Sequence, residues 1–393
     1  MRILNISAQK PHSTGSGFYL TETVRCFSAM GHTVGVVAGI YPQDTVCFPE
    51  GVEFFPVYFS TPALPFNIAG MSDEMPYPST MYRSMTEDMA NRFRASFESA
   101  LKEAVSRFCP DVIICHHLYF LSAIARELFP DMPMWGICHG TDLRQMYTSP
   151  FMLNYVRTNI ARLNKVCCLH DAQRQAVSNC YGIPLSRTIV VGAGFNGEIF
   201  FDRHIRKPHN ELRLVYAGKI SDKKGIYCLI DALKASGLPR GSVTLRMAGG
   251  WPGEEHRLRA IKAIEASGHH ITLLGPLSQA ELAEEFSLGD VFVLPSFSEG
   301  FPLVLAEAMA CGMASICTDL PGIRPRMDAL CPDCPITFVD PPVMLDPDTP
   351  DPLKLPEFTA RLLDAILSAR RPSTPPDLSA FTWQGVCERI LGE

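Results

Sequence analysis

Strand-like and helix-like segments alternate along the whole chain, and this order limits the fold more than any other feature. Short apolar runs typical of buried parallel strands are separated by stretches long enough to form helices. Parallel strands need a crossover between them, so the order predicts an α/β architecture with parallel sheets. The predicted strands are 3–7, 33–38, 52–57, 111–115, 133–138 and 165–169, and then 212–217, 243–247, 271–274, 291–294 and 314–318.

The length divides this series into two domains, since 393 residues exceed what one ordinary core supports. A polar linker at 202–210 separates the two halves. We predict a first Rossmann-like, acceptor-side domain at 1–203, a second at 204–374, and a terminal helix at 375–393 that packs back towards the first domain. The loop 58–83 is unusually long, and contact with an acceptor and a plain surface loop both stay open for it.

Composition and charge exclude several functions. The chain is 47% hydrophobic and 19% charged, values typical of globular proteins, and its net charge of −6 without a basic stripe argues against nucleic acid as a partner. Neither a signal peptide nor an apolar run long enough to span a bilayer is seen. We therefore expect a cytoplasmic protein, with peripheral contact at the inner face of the membrane left open.

The cysteines favour buried free thiols over a disulfide framework. There are 14 of them, spread through predicted strands and helices. Cys331-Pro-Asp-Cys334 is the one C-x-x-C, and without a second Cys or His pair it is weak support for a zinc or redox site.

A strand–loop–helix segment carries two acidic residues. The apolar run 291–294 precedes Glu299 and Glu307, Gly300 interrupts the strand, and Pro302 suits the first position of a helix. Free backbone amides at such a helix start suit an anion or a sugar hydroxyl. Alone, this spacing fits a capped and solvated helix equally well.

Lysines follow the first strand of the second half. Lys219, Lys223 and Lys224 lie just beyond the predicted strand 212–217, where α/β folds bind ligands. Cations at this position can neutralise the charge that develops on a departing diphosphate. Lysines in polar loops are otherwise usually solvated.

The segments 298–303 and 305–312 resemble the donor-site signature of the GT-B retaining glycosyltransferases of family 4. That signature has an acidic residue, Gly-Phe-(Gly/Pro)-Leu, and a second Glu before Ala-Met-Ala-x-Gly. The resemblance implies a GT-B fold, in which two facing Rossmann-like domains enclose an interdomain cleft. It implies that Glu307 binds the ribose hydroxyls and that Glu299 lies beside the donor sugar.

Further segments match the family pattern. Lys219 and Lys224 resemble its Gly-Arg/Lys … Lys-Gly pair, although Arg is commoner than Lys at the first position. His139, in His-Gly-Thr-Asp, resembles the histidine beside the donor sugar, and Asp142 is a weaker candidate. The predicted catalytic residues are His139, Glu299, Lys219 and Lys224; the predicted donor-binding residues are Gly15, Gly17, Lys223, Gly249, Leu277, Gly300, Phe301, Pro302, Leu303 and Glu307.

Two other features of the first half carry less information. His116 and His117 are interpreted as residues that line the cleft edge or only end their strand. Gly15-Ser-Gly17 opens the first helix, but Leu20 replaces the third glycine of a dinucleotide fingerprint, which disfavours an NAD enzyme.

The resemblance implies a metal-independent retaining glycosyltransferase without a cofactor. Its donor would be a nucleotide-diphosphate sugar, a UDP-sugar by preference, with guanine and adenine nucleotides left open. Its acceptor is unknown: a glycan, a lipid-linked molecule or a small molecule. No Asp-x-Asp follows a predicted strand, so no metal is expected.

Three alternatives stay open. A sugar-nucleotide epimerase of the same fold would need further acid–base carboxylates in the first domain. A glucan phosphorylase of the pyridoxal-phosphate type needs a much longer chain. A non-catalytic nucleotide-sugar-binding protein would keep the donor site alone.

Overall fold

The computed structural model describes residues 1–72, 75–206, 209–299, 302–346, 349–374 and 376–392. The chain forms two compact units. The first comprises Met1–Ala193 and Trp383–Glu393, and the second comprises Gly194–Thr382.

The elements alternate as the sequence predicts. The strands are β1 (Arg2–Ser7), β2 (Thr33–Ile40), β3 (Glu53–Tyr58), β4 (Ala69–Gly70), β5 (Thr80–Met81), β6 (Val112–His116), β7 (Met134–Ile137), β8 (Lys165–Cys168), β9 (Thr188–Val190), β10 (Leu212–Ala217), β11 (Val243–Ala248), β12 (His270–Gly275), β13 (Val291–Leu294), β14 (Ala314–Thr318), β15 (Ile336–Val339), β16 (Met344–Asp346) and β17 (Thr349–Pro350). The helices are α1 (Gly15–Ala29), α2 (Glu87–Phe108), α3 (Phe120–Leu128), α4 (Thr141–Thr148), α5 (Leu153–Ile160), α6 (Asp171–Tyr181), α7 (Ile226–Ala235), α8 (Glu254–Ser267), α9 (Gln279–Leu288), α10 (Leu303–Ala310), α11 (Ile323–Leu330), α12 (Leu355–Ser368) and α13 (Trp383–Leu391).

The first unit is built on a parallel seven-stranded sheet in the order β3-β2-β1-β6-β7-β8-β9. Alternate residues of its strands bury opposite faces, as in a doubly wound sheet. Leu4 and Ile6 belong to a core with residues of α2 and α3, whereas Ile3 belongs to a core with residues of α1 and α13. The last helix of the chain is therefore part of the first unit.

The second unit has a parallel six-stranded sheet in the order β12-β11-β10-β13-β14-β15. Residues of α7 and α12 share a core on one face, and residues of α9, α10 and α11 share a core on the other. The capping box predicted at Ser278 is confirmed at the start of α9. Pro302, predicted as the first helical residue of α10, is instead its N-cap.

The units divide earlier along the chain than the sequence suggested. We placed the boundary after residue 203, but the second unit begins at Gly194 and ends at Thr382. Phe195 explains the difference, because its backbone N–H donates to Phe381 O at 2.9 Å and its ring is buried in the core beside α9. This segment is held by the second unit rather than linking the two.

Short edge strands escaped the sequence analysis. β9 and β15 lie at the ends of their sheets, and β4–β5 and β16–β17 form separate two-stranded sheets. The long loop after β3 contains β4 and β5 and buries apolar residues such as Leu64 and Ile68 in the core of the first unit. The sequence analysis found no Asp-x-Asp after a predicted strand, but Asp346, the first residue of Asp346-Pro347-Asp348, ends β16, a strand outside the main sheet. Pro347 and Asp348 lie outside the described residues.

Two cysteines differ from the free thiols expected. Cys331 and Cys334 are joined by a disulfide, whereas the predicted thiols of Cys115, Cys138 and Cys317 are free and buried. None of the described helices is both long and apolar enough to cross a bilayer.

The docking of α13 gives a stability prediction. Ile390 is fully buried on α13, so Ile390→Ala should destabilise the first unit by about 2–5 kcal/mol. Hydrogen–deuterium exchange should show faster exchange in β1 and β2 and unchanged exchange in β10 and β11. Gln384→Ala, on the exposed side of the same helix, is the control. Equal effects in both units would contradict this assignment of α13.

Candidate functional site

The strand order of the second unit reverses at β10. β10 pairs with β11 on one side and with β13 on the other. The chain therefore adds strands first on one side of β10 and later on the other side. Open α/β sheets bind ligands beyond the carboxyl ends of strands at such a switch point. The loops that follow β10 and β13 both emerge here, and they carry the predicted lysines and glutamates.

Hydrogen bonds fix the lysine loop to its neighbours. The Tyr216 hydroxyl donates to Lys219 O at 2.7 Å, and the backbone N–H of Ile220 donates to Gly250 O at 2.8 Å. The backbone N–H of Phe297 donates to Lys223 O at 2.9 Å. The loops after β10, β11 and β13 thus form one connected surface.

Two glycines allow this close approach. Gly249 has φ 139°, and a Cβ there would lie 1.8 Å from Gly218 O. Gly225 has φ 65°, and a Cβ there would lie 1.9 Å from Pro295 O. Any other residue would push the loops apart, so predicted donor-binding Gly249 has a clear structural role.

Lys224 and Glu299 form an ion pair at this edge. Lys224 Nζ lies 2.6 Å from Glu299 Oε1, which also accepts from Ser296 Oγ at 2.6 Å. Both charged side chains are partly buried, with 25% and 15% exposure. A diphosphate that binds here would compete with Glu299 for the ammonium group.

Glu307 lies on α10, and its environment differs from that of Glu299. Its carboxylate is partly buried, and burial raises the pKa of Glu307 to about 7. Among the residues that the structure describes, none donates a hydrogen bond to its carboxylate or forms an ion pair with it. It is therefore a half-buried acceptor suited to ligand hydroxyl groups.

The remaining predicted residues of this unit contribute less. Lys219 and Lys223 are exposed on their loop, Leu277 packs against the core beside α9, and Leu303 begins α10. Gly300 and Phe301 lie outside the described residues. The structure thus brings Lys224 and Glu299 into direct contact.

In the first unit, α1 begins where the sequence predicts. The Thr14 side chain caps the helix by accepting from the backbone N–H of Gly17 at 3.0 Å. The Gly17 amide is engaged in this cap, whereas Gly15 is exposed at the first helical position.

Asp142 connects two histidines at the ends of β6 and β7. Its Oδ1 lies 2.5 Å from His117 Nδ1, and its Oδ2 accepts from the backbone N–H of His139 at 2.9 Å. Burial opposes ionisation of Asp142, but the attraction of His117 and its hydrogen bond outweigh it and lower the pKa of Asp142. Burial also lowers the pKa of His139 to about 3, so its ring is neutral at physiological pH.

These groups border a cavity of about 350 Å³ within the first unit. Predicted residues Gly15 and His139 line it. So do Gln9, which the sequence analysis did not single out, and His117, which it interpreted as lining the cleft edge or only ending its strand. His117 has φ 74°, an uncommon backbone conformation for a residue with a side chain. Such strain often marks functional sites, but the sequence shows no sign of it.

No three or more His, Cys, Asp or Glu side chains form a metal-binding group among the residues that the structure describes. The described chemistry is therefore that of a lysine–carboxylate pair, an unpaired carboxylate and a histidine-lined cavity.

The raised pKa of Glu307 predicts a pH-dependent stability. Between pH 4.5 and 7 the folded state keeps a proton on Glu307 that the unfolded chain releases, so the free energy of unfolding falls as pH rises. The free energy of unfolding of Glu307→Gln, measured relative to that of wild type, should therefore rise by up to about 3 kcal/mol from pH 5 to pH 8. Urea titrations of the second unit at both pH values measure this.

Glu265→Gln, at an exposed position of α8, is the matched control, and its difference from wild type should be equal at both pH values. A Glu307→Gln difference that is also independent of pH would contradict the burial argument.

Two family models match consecutive parts of the chain. Glycosyltransferase Family 4 matches residues 13–198, and Glycosyl transferases group 1 matches residues 198–326. A D-inositol 3-phosphate glycosyltransferase from Pseudarthrobacter chlorophenolicus is 33% identical over 153 residues, 36% of this chain and 36% of that protein. The chain thus aligns with about a third of the length of such curated relatives.

Solved structures match over the whole chain. Sucrose-phosphate synthase from Thermosynechococcus elongatus has a TM-score of 0.60 at 17% identity and covers 99% of this chain and 97% of its own. HepE from Anabaena, in complex with UDP and glucose, has a TM-score of 0.57 at 15% identity and covers 100% and 98%. The chain belongs to the family 4 glycosyltransferases (glycosyl transferases group 1) and has their GT-B fold.

Proposed function

We propose that the protein is a retaining glycosyltransferase that moves a sugar from a UDP-sugar to an acceptor hydroxyl without a metal ion. The observation that carries the proposal is the Lys224–Glu299 pair at the switch point of the second unit, with Glu307 on the helix that follows. A cation and two acceptors at one sheet edge suit a ligand that combines phosphate with hydroxyl groups.

The lysines would hold the diphosphate. As the bond from the sugar to phosphate breaks, negative charge grows on the leaving diphosphate, and Lys219, Lys224 and the amino end of α10 stabilise it. Phosphate that binds Lys224 releases Glu299, which then accepts hydrogen bonds from the donor sugar. Glu307 accepts hydrogen bonds from the ribose hydroxyl groups. These hydrogen bonds replace those that water would make to an exposed carboxylate.

No protein base is needed in this scheme. The acceptor oxygen bonds to the anomeric carbon on the face from which the phosphate departs, and a leaving-group phosphate oxygen takes the acceptor proton. The uncharged ring of His139 can form a hydrogen bond with a sugar hydroxyl group and brings no positive charge to it.

UDP is the preferred nucleotide. HepE of Anabaena, a protein of the same fold, is described in complex with UDP and glucose. A UDP-sugar is therefore the first donor class to test, with GDP- and ADP-sugars in the same panel. The acceptor is a hydroxyl-bearing glycan, lipid-linked molecule or small molecule.

Donor binding should depend on Lys224. Lys224→Met removes a charged hydrogen bond to phosphate and leaves Glu299 to repel it, so affinity for the donor found in the panel should fall by about 10- to 100-fold. Thermal shift identifies the donor, since a ligand that binds the folded state stabilises it, and calorimetry measures its affinity.

Lys234→Met, at an exposed position of α7 in the same unit, is the control and should bind as wild type does. Unchanged affinity in Lys224→Met would overturn the donor-site assignment. The titrations are repeated with EDTA, and donor binding or turnover that fails until manganese is restored would contradict metal independence.

The stereochemical outcome is a separate prediction. Attack on the face of departure keeps the anomeric configuration, so proton NMR of the first product formed should show the same anomer as the donor. An inverted product would reject the same-face mechanism while leaving the donor site intact.

A further inference from the structure

A second cavity, of about 310 Å³, lies within the second unit at the edge of the sheet opposite the proposed donor site. Gly312 lines it just before β14, and Arg206 lines it and contacts Asp290, the residue before β13. The cavity is therefore at the amino ends of β13 and β14. Lys224 and Glu299 instead follow the carboxyl ends of their strands.

Most polar side chains around this cavity can donate hydrogen bonds. The polar residues that line it are Asp202, His204, Arg206, Arg371 and Ser373. An arginine side chain only donates, and Asp202 is the single acid among the described lining residues. Since the whole chain has a net charge of −6, a wall with two arginines and one acid differs from the average surface. This excess of donors favours an anionic ligand.

One arginine of the cavity is held in place by the protein itself. Arg371 Nη2 lies 2.5 Å from Asp202 Oδ2, and these side chains are 25% and 11% exposed. The other oxygen of Asp202 accepts from the backbone N–H of His204 at 2.9 Å. A Cβ at Gly312 would lie 2.2 Å from Arg371 Nη2, so glycine leaves room for this ion pair. An arginine that is already fixed loses less conformational entropy when a ligand binds.

Several donors at the cavity are not used within the unit. Among the residues that the structure describes, none accepts a hydrogen bond from Arg371 Nε, Arg371 Nη1 or Ser373 Oγ. Arg206 donates from Nη1 to Asp290 Oδ1 at 3.2 Å and from Nη2 to Ser287 O at 3.0 Å, and its buried Nε has no partner among the described residues. A ligand with several acceptor oxygens would use the donors that remain.

A phosphate group has the charge and the oxygens that these donors require. It carries several strong acceptor oxygens on one atom, and arginine binds such a group through parallel N–H donors. A volume of about 310 Å³ lies at the low end for ligand pockets, which suits a small phosphate compound better than a nucleotide-sugar.

We propose that this cavity binds the phosphate group of a small ligand, with Arg371 and Ser373 donating hydrogen bonds to its oxygens. The positive charge of Arg206 adds to the attraction, and Asp202 acts as a positioning residue that holds Arg371. The inference goes beyond the proposed function and does not rest on it. Because the cavity and the donor site are at opposite edges of the sheet, both ligands can bind at the same time.

Isothermal titration calorimetry on the full chain tests the site with inorganic phosphate, glucose 6-phosphate and glucose at constant ionic strength. The titrations use wild type and Lys224→Met, since the second removes phosphate binding at the proposed donor site. Both phosphate probes should bind Lys224→Met, and glucose should not.

Further variants in the Lys224→Met background locate the site. Ser373→Asp places a negative charge at the cavity, so phosphate affinity should fall about fivefold or more. Thr374→Asp, at the next exposed position, is the matched control and should have no effect. Arg371→Met should weaken binding by about 10- to 100-fold, whereas Arg370→Met, exposed and outside the cavity, should not.

Three results would overturn the proposal: neither phosphate probe binds, phosphate binding is lost in Lys224→Met alone, or Ser373→Asp and Thr374→Asp weaken it equally. Ser373 is exposed, so this comparison holds even where Arg371→Met, which leaves Asp202 without its cation, fails to fold. Donor binding that Lys224→Met leaves unchanged would overturn the donor site and not this cavity.

The two phosphate probes also identify the form of the ligand. Tighter binding of glucose 6-phosphate supports a phosphate monoester whose organic part also contacts the cavity. Equal or tighter binding of inorganic phosphate supports the free ion.

Discussion

The parallel pairing of β10 with both β11 and β13 is the constraint on which the second unit depends. Since all these strands are parallel, the loops that follow them leave the sheet at the same edge. Their contact is so close that Gly249 and Gly225 have room only for hydrogen where other residues carry a Cβ. Lys224 and Glu299 meet across this junction although 75 residues separate them in sequence.

Glu299 and Glu307 have different surroundings in the fold. Glu299 has a cation and a hydroxyl as partners, so its charge is balanced before any ligand arrives. Glu307 lacks such partners among the described residues, and burial raises its pKa to about 7. Under the proposed function, the donor's phosphate would displace Glu299 from Lys224, and the ribose hydroxyl groups would donate hydrogen bonds to Glu307.

The sequence predicted what is local. Eleven strands appear close to their predicted positions, because buried parallel strands are short apolar runs, and three of them, β10, β13 and β14, have the predicted bounds. The strand–loop–helix around Glu299 was predicted for the same reason. The strands β9 and β15 were missed; they have three and four residues, and one residue of each is buried. The unit boundary was misplaced because Phe195 meets Phe381, a distant contact.

The first unit shows why some site residues escape sequence reasoning altogether. Nothing local distinguishes Gln9 or His117 from residues that merely end a strand. Their character arises when β1, β6 and β7 lie side by side and the buried carboxylate of Asp142 orients one imidazole and one backbone amide. The strained backbone of His117 and the unpaired Nε2 atoms of Gln9, His117 and His139 all oppose folding. These costs fall at one cavity of the first unit, and no pattern along the chain distinguishes the residues that bear them.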